Sequence, residues 1–94
     1  MITITQLDLE LYEVEISRRD QPSIMRHQVS LGSEAWRGLT DRRVTPEALL
    51  MESFRYFLAQ EVKPVLPEHF DLAEVGDGFP GWRRHIEQWL ERGR

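Results

Sequence analysis

The three histidines, His27, His69 and His85, are the side chains best suited to acid–base chemistry or metal binding. No two of them stand four residues apart, the spacing that puts two histidines on one face of a zinc-binding helix. His69 lies two residues before Asp71, and so loose a pair in a turn is too little to predict a metal site. His27 falls among the apolar residues of a predicted strand, where we expect a hydrogen-bonded, half-buried histidine. The histidines therefore predict neither a metal site nor a catalytic base.

Other patterns that would indicate catalysis are also missing. The chain has no cysteine and no Gly-x-Ser-x-Gly sequence, so no nucleophile is recognisable. Gly76, Gly78 and Gly81 do not resemble a phosphate-binding loop, because Asp77 stands among them and no lysine follows. We therefore expect no enzymatic activity and no cofactor.

Size and charge set the broad class. The 94 residues predict one domain, and 16 acidic against 12 basic side chains give a net charge of −4. No overall basic field is present to attract nucleic acid or anionic lipid. No apolar run approaches the ~20 residues of a membrane span, and the first residues lack the basic region of a signal peptide. The expectation is a cytoplasmic protein with neither nucleic acid nor a membrane as its partner.

The first third of the chain has the pattern of strands. Polar and apolar residues alternate over residues 12–16 and again over 25–31, and a turn rich in Pro and Asp separates the two runs. In the second run, Met25, His27, Val29 and Leu31 share the predicted inner face. Leucines 7, 9 and 11 alternate on the opposite parity, which requires a break near residues 11–12. The prediction is an antiparallel hairpin, or a three-strand meander if the upstream segment joins it.

The remainder favours helices. Thr45-Pro46-Glu47 is a strong start signal for a central helix over about residues 46–62, which Pro64 would end. Short helices are predicted near 34–39 and 72–76. A terminal helix is predicted over about 80–92, with tryptophans 82 and 89 on its apolar stripe. The predicted fold is α+β, with the strands packed on the central helix, which also contacts the terminal tryptophans.

Several segments resemble a group of small bacterial proteins. They are Thr-Pro-Glu-Ala-Leu-Leu with Ser-Phe-Arg-Tyr-Phe-Leu in 45–58, Phe-Asp-Leu at 70–72 and Phe-Pro-Gly-Trp at 79–82. That group joins a β-rich start to a "PEELxxxSFxFLLxREP" helix and a "FDLxxIxxYFPEY" end, and the similarity covers about residues 29–86. This chain departs from the pattern at residues 75–78, where two glycines loosen the turn. No activity is established for the group. The resemblance implies a bacterial cytosolic α+β domain and supplies no catalytic residues.

Aromatic side chains indicate a role in binding. Three tryptophans and six other aromatic residues are many for a thin core of two layers, and aromatic residues are common interface anchors. Trp36, beside Arg37 on the first short helix, and Trp89 are the predicted anchors, with a purely internal role as the alternative. The strand within residues 2–11 offers a second route, edge pairing in a dimer. We expect a non-enzymatic accessory or interaction protein that binds a protein partner or itself.

A DNA-binding role is the alternative hypothesis. Residues 25–31, 33–40 and 46–62 follow the strand–helix–helix order of a ribbon-helix-helix regulator or antitoxin-type protein. In such a module, the polar residues of the strand would enter the major groove, here Arg26, Gln28 and Ser30. The acidic net charge and the upstream strand partner disfavour this alternative.

Overall fold

Four helices lie on a four-stranded sheet in the computed structural model of the chain, which describes residues 1–19, 21–60 and 65–93, with the backbone alone at 21 and 22. The strands are β1 (Ile2–Asp8), β2 (Leu11–Arg18), β3 (Gln21–Ser30) and β4 (His69–Asp71). The helices are α1 (Ser33–Thr40), α2 (Pro46–Leu58), α3 (Leu72–Gly76) and α4 (Trp82–Arg92). The predicted α+β class is confirmed.

The sheet has the order β1-β2-β3-β4. β1, β2 and β3 form an antiparallel meander, the larger of the two arrangements predicted. The sequence predicted a break near residues 11–12, where the alternation of apolar residues changes face. In the structure this change occurs slightly earlier, at a bulge between Gln6 and Asp8 and in the turn at residues 9–10. β4 was not predicted. It runs parallel to β3 and pairs with Gln28–Ser30 alone.

One face of the sheet carries the core. Tyr12, Val14 and Ile16 of β2 are buried there, and His27, Val29 and Leu31 continue the same face from β3. Met25 was predicted to share that face, but it is 52% exposed. Met25 lies in the part of β3 beyond the Gln28–Ser30 segment that pairs with β4.

The central helix α2 begins as predicted and ends sooner. The Thr45 hydroxyl accepts a hydrogen bond from the Ala48 amide at 3.1 Å, and Pro46 occupies the first turn. The helix stops at Leu58: the Gln60 backbone amide lies 3.5 Å from the Phe57 carbonyl, and the Gln60 side-chain amide donates to the Tyr56 carbonyl at 2.7 Å. In a continuing helix the Gln60 backbone amide would occupy that carbonyl. Residues 61–62 of the predicted helix and its predicted stop at 64 lie outside the described residues.

The inner face of α2 contacts both the sheet and α4. Its fully buried members are Leu49, Leu50, Ser53, Phe54 and Phe57. Trp82 of α4 is 1% exposed, and its indole nitrogen donates to the Ser53 hydroxyl at 3.1 Å. α4 starts at residue 82 rather than 80 because Gly81 adopts φ 83°, a left-handed conformation that favours glycine.

Candidate protein-interaction site

β1 lies at the edge of the sheet, with no described strand on its outer side. Met1 and Ser17 exchange both backbone hydrogen bonds, at 2.6 and 2.9 Å. In an antiparallel ladder such bonded pairs alternate with non-bonded pairs. Thr3 and Thr5 therefore bond to β2 through their backbones, as Met1 does. Ile2, Ile4 and Gln6 direct their N–H and C=O groups to the open edge, ready to pair with another strand.

Among the described residues, nothing gives this edge the usual protection against pairing. Natural proteins block an edge strand with lysine, proline, inward-pointing charge or a covering element. β1 reads Ile-Thr-Ile-Thr-Gln-Leu-Asp, with neither lysine nor proline and with its one charge on the last residue. Isoleucine and threonine are also strong strand formers. The bulge between Gln6 and Asp8 affects one end alone. The first five residues of β1 therefore form an uncharged segment suited to strand addition.

A groove of about 540 Å³ runs beside this edge on the helix side of the sheet. Ile2 and Ile16 line it from the strands, and Met51, Arg55 and Leu58 line it from α2. The three α2 residues have the i, i+4, i+7 spacing of a single helix stripe. A strand added to β1 would place its inward side chains next to this groove.

The two ends of β1 differ in charge. Arg18 and Arg19 are exposed near Met1, and Asp8 and Glu10 are exposed at the other end. Because the first pair is basic and the second acidic, the edge carries a charge gradient along its length. A strand with the opposite gradient would be attracted to it.

Trp36, Arg37 and Trp89, the anchors predicted from the sequence, lie on the α1–α4 side of the molecule. Trp36 is half-buried, and its indole nitrogen donates to the Val44 carbonyl at 2.9 Å. Trp89 is half-buried and shares a cavity of about 370 Å³ with Val44. Both tryptophans pack against the core, and Arg37 is exposed. The structure thus brings the two tryptophans to a common region through Val44, while their role as anchors stays a prediction.

Arg26, Gln28 and Ser30 share the outer face of the sheet, as the DNA-binding hypothesis requires. Arg26 pairs with Glu15 at 2.8 Å, a contact that raises the pKa of its guanidinium. The Ser30 hydroxyl donates to Asp71 at 3.0 Å. Gln28 and Ser30 lie in the part of β3 that is paired on both sides, by β2 and β4. These carboxylate partners give the face an acidic component, and nothing in this geometry favours DNA over other partners.

His85 belongs to a polar contact that sequence reasoning missed. Its Nε2 lies 2.6 Å from the Glu52 carboxylate, and its ring stacks on Tyr56 with centroids 4.7 Å apart. The Tyr56 hydroxyl in turn donates to the Pro80 carbonyl at 2.6 Å. Because 33 residues separate Glu52 from His85, no local spacing could have revealed the pair. The contact ties α2 to α4.

His27 was predicted to be hydrogen-bonded and half-buried, and it is hydrogen-bonded but almost fully buried, at 3% exposure. Its Nδ1 lies 2.7 Å from the Pro67 carbonyl, which can only accept, so Nδ1 donates. Nε2 is then an acceptor with no partner among the described residues. The ring lies between those of Phe54 and Phe70, with centroids 6.0 Å from each. His27 thus joins β3 to the segment that leads into β4.

Three further groups have shifted pKa values. The Arg83 guanidinium donates to Asp77 at 2.6 and 3.0 Å, which lowers the pKa of that carboxyl and raises the pKa of the arginine. Burial raises the pKa of the Tyr12 phenol, and the Glu47 and Glu10 carboxylates add to the effect. None of these three groups lines the groove beside β1.

Comparison with protein-family models, curated proteins and solved structures finds no match to this chain. The resemblance to the group of small bacterial proteins therefore stays a prediction. Within the described ranges, no cluster of three histidine or carboxylate side chains is arranged to hold a metal ion. No helix in those ranges has the length and apolar character needed to cross a membrane.

Proposed function

We propose that this chain is a non-enzymatic interaction protein that binds its partner by strand addition at the open edge of β1. The supporting observation is the set of outward N–H and C=O groups at Ile2, Ile4 and Gln6, on a strand without charge before Asp8. Main-chain hydrogen bonds give affinity in this mode of binding, and pockets for alternate side chains give specificity. The groove lined by Met51 and Leu58 supplies such a pocket.

The test compares wild type with two variants at one position. Ile4→Pro removes an outward N–H and leaves the bonds from β1 to β2 in place. Ile4→Ala is the matched control, because it loses the side chain and keeps the N–H. Each immobilised chain is offered native lysate, supplemented with a tagged second copy, and the bound proteins are compared by mass spectrometry. We expect Ile4→Ala to retain what wild type retains, and Ile4→Pro to lose it.

Gln6→Pro removes another outward N–H near the end of the strand, and it replaces Ile4→Pro if that variant fails to fold. Equal capture by the proline and alanine variants would contradict the proposal, as would a wild-type chain that retains nothing. Capture lost in Trp36→Ala but kept in Ile4→Pro would assign binding to the tryptophan region instead. A duplex-DNA mobility shift lost in Arg26→Ala would support the DNA-binding alternative.

A further inference from the structure

We infer that the strand added to β1 is β1 of a second copy of this chain, antiparallel and centred on Ile4. This inference rests on the proposed function and names its partner. Three features of β1 carry it: the pattern of outward backbone groups, the placement of the isoleucines, and the opposite charges at its two ends.

The backbone pattern selects the register. Pairing centred on Ile4 sets residue i of one copy opposite residue 8 − i of the other. Ile4 then faces Ile4 of the partner subunit, and Ile2 faces Gln6 of the partner subunit. All of these residues direct their N–H and C=O groups outward, so each pair forms the reciprocal bonds of an antiparallel ladder. Pairing centred on Thr3 aligns fewer outward groups of β1, because it joins Ile2 to Ile4 of the partner subunit and sets no residue of the partner's β1 opposite Gln6.

The side chains agree with that register. Opposite residues of an antiparallel pair point to the same face of a sheet. Ile2 and Ile4 share the helix side with Ile16 and Val14, so the isoleucines of both copies fall on one side. The two helix layers therefore cover the same face of a continuous sheet, and the groove beside β1 lies at the seam between the copies. Thr3 faces Thr5 of the partner subunit on the outer face, where neither residue is charged.

The charges favour an antiparallel second copy. From Ile2 to Gln6, residue i of β1 pairs with residue 18 − i of β2, so Arg18 lies beyond Met1 at one end of the sheet. In the proposed register, the end of the partner's β1 that carries the partner's Asp8 lies beside this basic end of the sheet. Parallel pairing would instead set the two basic ends side by side and the two acidic ends side by side, so the charges favour the antiparallel arrangement.

Disulfide cross-linking tests the register, since the chain contains no cysteine. Thr3 and the partner's Thr5 form a non-bonded pair with Cα atoms about 4.5 Å apart, within the range of a disulfide. Thr3→Cys and Thr5→Cys chains, one of them isotope-labelled, are mixed in equal amounts and oxidised mildly. We expect mixed dimers well above the half that random pairing gives. We also expect few dimers from either variant alone, and none when Ile4→Pro is added to both chains.

Sedimentation of wild type provides the parallel measurement. Its mass should rise from 11.1 kDa toward twice that value as concentration increases over roughly 1 µM to 1 mM. Random cross-linking, or dimers formed by Thr3→Cys alone, would overturn the Ile4-centred register. A strict monomer whose capture of another protein is still lost in Ile4→Pro would overturn the second-copy inference and leave strand addition standing. If the protein is a strict monomer and Ile4→Pro and Ile4→Ala capture the same proteins, both proposals fail.

Discussion

Gly76→Ala tests how closely α4 packs against α3. Gly76 is buried, and a Cβ built on it would lie 2.5 Å from Cε3 of Trp82. Carbon atoms in contact are ordinarily about 3.5–4.0 Å apart, so the indole would have to move by about 1 Å. Its hydrogen bond to Ser53 is 3.1 Å long, and a shift of that size breaks it.

The magnitude follows from these two effects. Overpacking costs about 1–3 kcal/mol. The buried indole N–H left without its acceptor adds about 1–3 kcal/mol. The greater helix propensity of alanine offsets about 1 kcal/mol at most. We therefore expect a loss of at least about 1 kcal/mol in the free energy of unfolding, which lowers the Tm by roughly 4–8 °C or more in a chain of this size.

Thermal unfolding followed by circular dichroism measures the effect, with Gly38→Ala as the matched control. Gly38 is exposed in α1, and its added Cβ would meet no atom within 4 Å. That substitution should stabilise the protein by about 0.5–1 kcal/mol. A Gly76→Ala variant that melts at or above the wild-type temperature would refute the account of Trp82 packing.

Three further predictions concern other contacts of the fold. Ser53→Ala leaves the Trp82 N–H without an acceptor and should cost about 1–3 kcal/mol in urea unfolding; an unchanged midpoint would contradict this. Thr45→Ala removes the cap of α2 and should lower the free energy of unfolding by about 1 kcal/mol, whereas Thr45→Asp keeps a capping oxygen and should retain most of that stability. Equal losses of stability in the two variants would contradict a stabilising role for the cap. Arg83 lowers the pKa of Asp77, so the stability from this pair is present above the ordinary carboxyl pKa and is lost as pH falls through the lowered value. Wild type and Asp77→Asn should therefore differ at pH 7 and converge once the pH is below the lowered pKa of Asp77, and a difference independent of pH would count against the pair.

The sequence was most informative where structure is determined locally. Thr45 and Pro46 indicate the start of α2 because capping and proline geometry act within a few residues. The Asp71 cap of α3 is readable for the same reason, and its carboxylate accepts from the Glu74 amide at 3.2 Å. The alternation in β2 likewise predicted its buried face, which the structure confirms.

Contacts between distant residues could not be predicted. β4 has three residues, too few to show an alternating pattern, and it forms by pairing with β3 some forty residues earlier. The contact of Glu52 with His85 likewise depends on how α2 and α4 pack. The candidate site likewise combines a feature that is local in sequence with one that depends on distant residues. The sequence predicted that residues 2–11 contain a strand with an exposed edge, but its outward amides follow only from its pairing with β2.

Amide hydrogen exchange along β1, measured by NMR at several protein concentrations, tests the central claim most directly. At high dilution, the amides of Thr3 and Thr5 should be protected by β2, while those of Ile2, Ile4 and Gln6 exchange quickly. As concentration rises, the amides of Ile2, Ile4 and Gln6 should become protected, and Ile4→Ala should show the same trend at Ile2 and Gln6. The claim is contradicted if the protein associates while those amides continue to exchange quickly, or if they are already protected in the monomer.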